Sequence, residues 1–89
     1  MNFFWPETSF AKTNTPDEQL NHIFSEIHEV LDEHQLDKGH TNELVMELFD
    51  LHHSLETYFR VLKRELGETW VEGLAGKVRE KNRSRGYYK

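Results

Sequence analysis

The stretch Thr15-Pro16-Asp17-Glu18-Gln19-Leu20-Asn21-His22-Ile23-Phe24-Ser25-Glu26-Ile27-His28-Glu29-Val30-Leu31 decides the fold of this chain. It opens with a helix start: Thr15 is a capping residue, Pro16 suits the first helical position, and Glu18 completes a Thr-x-x-Glu capping box. Leu20, Ile23, Phe24, Ile27, Val30 and Leu31 then recur at helical spacing and make one apolar stripe. The pattern predicts a helix that fades near Asp37, with Gly39 as its stop.

Working outward from this helix, the pattern predicts a second one from about Thr41 to Leu66, ended by Gly67. Leu44, Leu48, Leu51, Leu55, Tyr58, Leu62 and Leu66 form its main stripe, while Val45, Met46 and Phe49 lie on other sides. So wide an apolar surface implies burial against more than the first helix. A third helix is expected from Thr69, whose Thr-x-x-Glu pattern reaches Glu72, although Gly73 and Gly76 each weaken a helix interior by about 1 kcal/mol relative to alanine. Residues 1–14 read as an irregular segment with an aromatic cluster around Phe3, Phe4 and Trp5. The expectation is one all-α domain over residues 1–89, an antiparallel helical hairpin plus a C-terminal helix.

Composition limits what this scaffold can do. A chain of 89 residues buries a modest fraction of its unfolded surface, so a partner subunit is plausible on size alone. Cysteine is absent, which removes disulfides, thiolate metal sites and cysteine nucleophiles together. Phe3-Phe4-Trp5 is too short for a membrane span and no basic residue precedes it, so the expectation is a soluble cytoplasmic protein without a leader or membrane segment. The net charge of -5 is unevenly spread, because residues 77–89 carry six basic side chains against Glu80 alone. The acidic body disfavours nucleic acid, whereas the basic tail suits phosphate.

Two acidic pairs carry the chemistry. Glu26 with Glu29, and Glu47 with Asp50, are each three residues apart, so both carboxylates of a pair share a helix face at about 100° per residue. Each pair borders the apolar stripe of its helix. Antiparallel packing through the stripes would gather four hard oxygen donors, whose mutual repulsion calls for a cation such as magnesium (Mg2+), with Mn2+ as a substitute. The plain alternative is that these acids are solvated helix faces. The six histidines lack zinc-like spacing, and His52 and His53 point to different faces.

The Thr15–Glu29 stretch resembles the helix-opening pattern of MazG-like nucleotide pyrophosphohydrolases, which often read Thr-Pro, then Gln, then His before an acidic motif. That superfamily is marked by Glu-x-x-Glu followed by Glu-x-x-Asp, and here Glu26-x-x-Glu29 precedes Glu47-x-x-Asp50 with 17 residues between. The segment Lys81-Asn82-Arg83-Ser84-Arg85-Gly86-Tyr87 resembles the Asn-x-x-Arg-x-aromatic ending of the same group. Three departures are visible: Ser25 stands where many relatives have another glutamate, Val78 where they often have lysine, and the usual N-terminal helix is reduced to the aromatic segment around Phe3 and Trp5.

The resemblance implies hydrolysis of a nucleoside triphosphate between its α and β phosphorus atoms, giving the monophosphate and pyrophosphate, as in house-cleaning of unwanted nucleotides. Glu26, Glu29, Glu47 and Asp50 would be the metal-binding and catalytic residues. Gln19 and His22 would face the nucleotide, Lys81, Asn82 and Arg85 would steady the polyphosphate, and Tyr87 or an N-terminal aromatic would stack on the base. It also implies a homodimer or homotetramer in which paired helices from two subunits complete a four-helix core. Two readings from other classes stand beside it: a non-catalytic helical interaction module, and a nucleotide-binding protein that has lost turnover.

Overall fold

A computed structural model of the chain describes residues 2–36 and 41–88. Among these residues it is all-helical, with α1 (Phe10–Thr13), α2 (Pro16–Gln35), α3 (Thr41–Leu66) and α4 (Glu68–Ser84). The opening of α2 follows the capping box: Glu18 N–H donates to Thr15 Oγ1 at 3.1 Å, and Thr15 N–H donates to Glu18 Oε1 at 2.8 Å. Those bonds hold the Glu18 carboxyl below its ordinary range. The expected stop at Gly39 lies outside the described residues.

Residues opposite one another on α2 and α3 run in reverse order. Gln19 bonds to Ser54, Glu26 lies near Asp50, and Glu29 lies near Glu47, so the two helices form an antiparallel hairpin. This hairpin is the main packing unit, and α1 and α4 each touch α3 over a smaller area.

Three expectations need correction. Residues 1–14 are not wholly irregular, because the polar run near Lys12 forms the one-turn α1, with Asn14 N–H donating to the Phe10 carbonyl at 2.9 Å. The C-terminal helix begins at Glu68, one residue before the expected Thr69. Gly67, at φ 96°, turns the chain within one residue, and Lys63 holds Glu68 across the corner at 3.0 Å, so no threonine cap is needed.

The third correction concerns the leucines of α3. Leu48, Leu55 and Leu66 are exposed, whereas the buried α3 side chains are Ser54, Glu56, Thr57 and Val61. Small polar side chains at 54 and 57 admit Gln19 and Thr8 against this face, and the N-terminal segment covers it. Leu48, Leu55 and Leu66 are left on the open side, while Leu44, Leu51, Tyr58 and Leu62 are half-buried. Buried apolar residues are accordingly few among those described, namely Ala11, Ile23, Val61 and Val71. The Cα radius of gyration is 15.3 Å, against about 12 Å for a compact domain of this length, which fits a fold with apolar faces still uncovered. Among the described residues, no helix is long and apolar enough to cross a membrane.

Candidate functional site

The acidic edges of α2 and α3 meet. Glu26, Glu29 and Glu47 each bring a carboxylate oxygen to within 4.8 Å of the others. Burial, followed by the charges of Glu29 and Asp50, pushes the Glu26 carboxyl above its ordinary value. A hydrogen bond shared with Glu29 is the largest influence on Glu47, and burial and the surrounding carboxylates add to it, raising its pKa to about 7. Asp50 acts on both through its charge but stands outside the group of three.

Whether a cation fits can be judged from the oxygens themselves. Glu26 Oε2 and Glu47 Oε2 are shielded from water, and neither accepts a hydrogen bond among the described residues. Buried carboxylate oxygens without donors are costly, and a hard divalent ion is the partner whose chemistry answers an all-oxygen set of this kind. Three carboxylates this close could hold such a cation. Ser25 donates its hydroxyl to the Asn21 carbonyl at 3.3 Å and adds no ligand to the set.

Beside the cluster lies a pocket of about 180 Å³. Glu26 and Asp50 form its acidic side, and His22, His53 and Phe10 supply rings. Thr8, Ser54 and Thr57 bring hydroxyl-bearing side chains, and Gln19 completes the lining. His22 sits 3.3 Å from Glu26 and tilts against Phe10 with ring centroids 5.9 Å apart. Gln19 is 1% exposed, and its amide clips three segments together. It donates to the Ser54 carbonyl at 3.0 Å and accepts from Asn14 at 2.8 Å. Both ends of that amide are therefore already engaged.

One wall of this pocket comes from the N-terminal segment, which sequence periodicity could not place. Glu56, Arg60 and Arg64 stand four residues apart along α3 and grip successive backbone groups of residues 4–14. Phe4 N–H and Trp5 N–H donate to the two carboxylate oxygens of Glu56, each at 2.8 Å. Arg60 donates to the Trp5 carbonyl at 2.8 Å, and its guanidinium lies 4.2 Å from the centroid of the Phe3 ring. Arg64 reaches the carbonyls of Ala11 and Asn14 at 2.9 and 2.6 Å. Burial alone would raise the Glu56 carboxyl. The two backbone donors, with the charges of His52 and Arg60, outweigh it and hold the carboxyl below its ordinary value.

The rings of the segment pack onto the same face of α3. Trp5 stacks on His53 at 5.1 Å and donates its indole N–H to His52 Nδ1 at 3.0 Å. His53, which also lines the pocket, donates to the Pro6 carbonyl at 3.3 Å. The regular spacing of 56, 60 and 64 gives no sequence signal of this grip by itself, since charges four apart are equally common on solvated helix faces.

The C-terminal residues have a different place. Lys81 and Asn82 lie on α4, Arg85 caps it, and Tyr87 follows. They are joined among themselves: Arg85 N–H donates to the Lys81 carbonyl at 3.1 Å and Tyr87 N–H to the Asn82 carbonyl at 3.0 Å. None of the four lines the pocket beside the acidic cluster. The structure therefore gathers Glu26, Glu29 and Glu47, sets Asp50, Gln19 and His22 at the adjoining pocket, and keeps the tail apart. Comparison with protein-family models, with curated proteins and with solved structures gives no match.

Proposed function

We propose that this chain is a metal-dependent nucleoside triphosphate pyrophosphohydrolase, giving a nucleoside monophosphate and pyrophosphate. The observation that carries the reading is the convergence of Glu26, Glu29 and Glu47, with two oxygens shielded from water and without donors, where Glu26 also lines a pocket containing rings. Magnesium at that position would lower the pKa of a bound water and offset the phosphate charge. Glu26, Glu29 and Glu47 would hold it, and Asp50, at the pocket wall, would complete the acidic set. A carboxylate not taken up by metal would accept the proton of the attacking water.

The nucleoside end would enter the pocket between Phe10, His22 and His53, with the threonine and serine hydroxyls as hydrogen-bonding partners. Lys81, Asn82 and Arg85 would steady the polyphosphate, and Tyr87 would stack on the base. That part of the reading requires assembly or movement of the tail, since these residues stand outside the pocket lining. A homodimer or homotetramer supplies the assembly, and the exposed leucines of α3 supply the surface for it.

The same exposed leucines favour a second reading, an interaction module that docks a partner helix without chemistry. A third, nucleotide binding without turnover, keeps the pocket and loses the reaction. The deciding experiment measures pyrophosphate release from a panel of ribo- and deoxyribonucleoside triphosphates with Mg2+ or Mn2+. A folded Glu47→Ala, Asp50→Ala double variant is run beside the parent. Release that disappears in the variant supports the hydrolase. No release, with melting unchanged by metal and nucleotide, leaves the interaction module. Stabilisation by nucleotide without pyrophosphate identifies a binding protein.

A further inference from the structure

The pocket wall formed by Thr8 and Phe10 is not built on the hairpin. It belongs to a segment whose path is set by side chains of α3, and the most constraining of these is Glu56, which takes two consecutive N–H groups at 2.8 Å on its two oxygens. A bidentate carboxylate on adjacent amides fixes the direction of the backbone as well as its distance. Downstream of that anchor, Thr8 meets Thr57 with hydroxyl oxygens 3.5 Å apart, and Phe10 comes against His22. The anchor itself is not among the residues that line the pocket.

We propose that Glu56 is a positioning residue for the pocket: by clamping Phe4 and Trp5 it sets the course of the segment that carries Thr8 and Phe10 into the wall. Glu56 touches no ligand in this scheme. Its partners are the Phe4 and Trp5 amides, with His52 at 3.7 Å and the Arg60 charge beside it. Without the clamp, the segment retains Arg60, Arg64 and the Trp5 ring contacts, so it stays attached while the Phe10 ring loses its fixed distance from His22. The pocket becomes wider and less defined, and ligand affinity falls before chemistry does.

For its ligand the proposal rests on the nucleotide reading above; for its geometry it does not. The test compares the parent, Glu56→Ala and Glu56→Gln, the last keeping the length and one acceptor oxygen. One readout is the nuclear Overhauser contact between the Phe10 and His22 rings. The other is the split of KM against kcat for the best triphosphate of the panel. The expected result is loss of the ring contact and a KM raised about tenfold with kcat nearly unchanged in Glu56→Ala, and an intermediate effect in Glu56→Gln.

Unchanged ring contact and KM in a folded Glu56→Ala protein would overturn the proposal, as would a fall in kcat with KM constant. Should Glu56→Ala fail to fold, Glu56→Gln decides by the same readings. A parent without pyrophosphate release sinks the hydrolase reading alone, because the ring contact still decides whether Glu56 sets the wall.

Discussion

Glu47 and Glu29, on facing helices, bring carboxylate oxygens within 4.8 Å of each other, and the hydrogen-bonding influence of Glu29, ahead of burial and the charges of Glu29, Asp50 and Glu26, raises the Glu47 carboxyl. The Glu47 pKa accordingly stands at about 7 instead of 4.5 in the folded chain. A carboxyl whose folded value is raised contributes stability that is complete below pH 4.5 and is lost as pH rises through about 7. In chelator, melting temperature should therefore fall across that interval. Mn2+ should remove the fall, because ionised carboxylates are the metal-binding form. Glu47→Gln should flatten the profile in chelator and abolish the response to Mn2+. A metal-free profile that is flat from pH 4.5 to 7 would contradict the raised Glu47 carboxyl.

Glu56 predicts the opposite slope at the acid end. Its carboxyl is held below 4.5 against the effect of burial by the Phe4 and Trp5 amides, His52 and Arg60. The stability it contributes is present above 4.5 and is lost as pH falls through the lowered folded value. Acidification should free the N-terminal segment first, seen as a change in Trp5 fluorescence in a Trp70→Phe background. Glu56→Gln should shift that change out of the acid range or remove it.

The difference between these two carboxylates also shows what could be read without a structure. Glu26, Glu29 and Glu47 were legible because helical spacing fixes which residues share an edge, and two amphipathic helices with a short link pack antiparallel. The capping box at Thr15 was legible because its two bonds are local. Glu56 was not, since its partners are backbone amides 51 and 52 residues away, and main-chain groups leave no trace in side-chain pattern. Nor could the leucine stripe of α3 reveal its cover. Periodicity identifies an apolar face, whereas the segment that takes the competing face of α3 is held through polar contacts at Ser54, Glu56 and Thr57.

Gly67 tests the corner between α3 and α4. At φ 96° it adopts backbone that side chains disfavour, yet a Cβ placed there meets nothing within 4 Å. Gly67→Ala should thus cost only the backbone strain, about 1–3 kcal/mol in chemical denaturation. Thr15→Ala, which removes the hydroxyl that Glu18 N–H uses, should cost about 0.5–2 kcal/mol in the same measurement. If both substitutions proved neutral, the chain would not depend on either helix junction as placed here.

The uncovered side of α3 gives the last prediction. Leu55, Phe59 and Leu66 are 40%, 42% and 48% exposed; Phe59 and Leu66 line a groove of about 430 Å³ with Leu74 and Val78 of α4, and Leu55 lines a smaller groove that also has Phe59 in its wall. Few buried apolar residues support the chain from within, so leaving this face in water is costly, and a stable interface requires roughly 1,200–2,000 Å² of total burial. Sedimentation should find a dimer or tetramer at micromolar concentration, with a melting temperature that rises with protein concentration. A Leu55→Glu, Phe59→Glu variant should sediment as a monomer and lose that concentration dependence. Its acidic cluster belongs to the α2–α3 edge and not to this groove, so Mn2+ should still stabilise the monomer if one chain holds the metal by itself. Loss of the metal response on dissociation would instead mean that a second copy is needed to hold the cluster in shape.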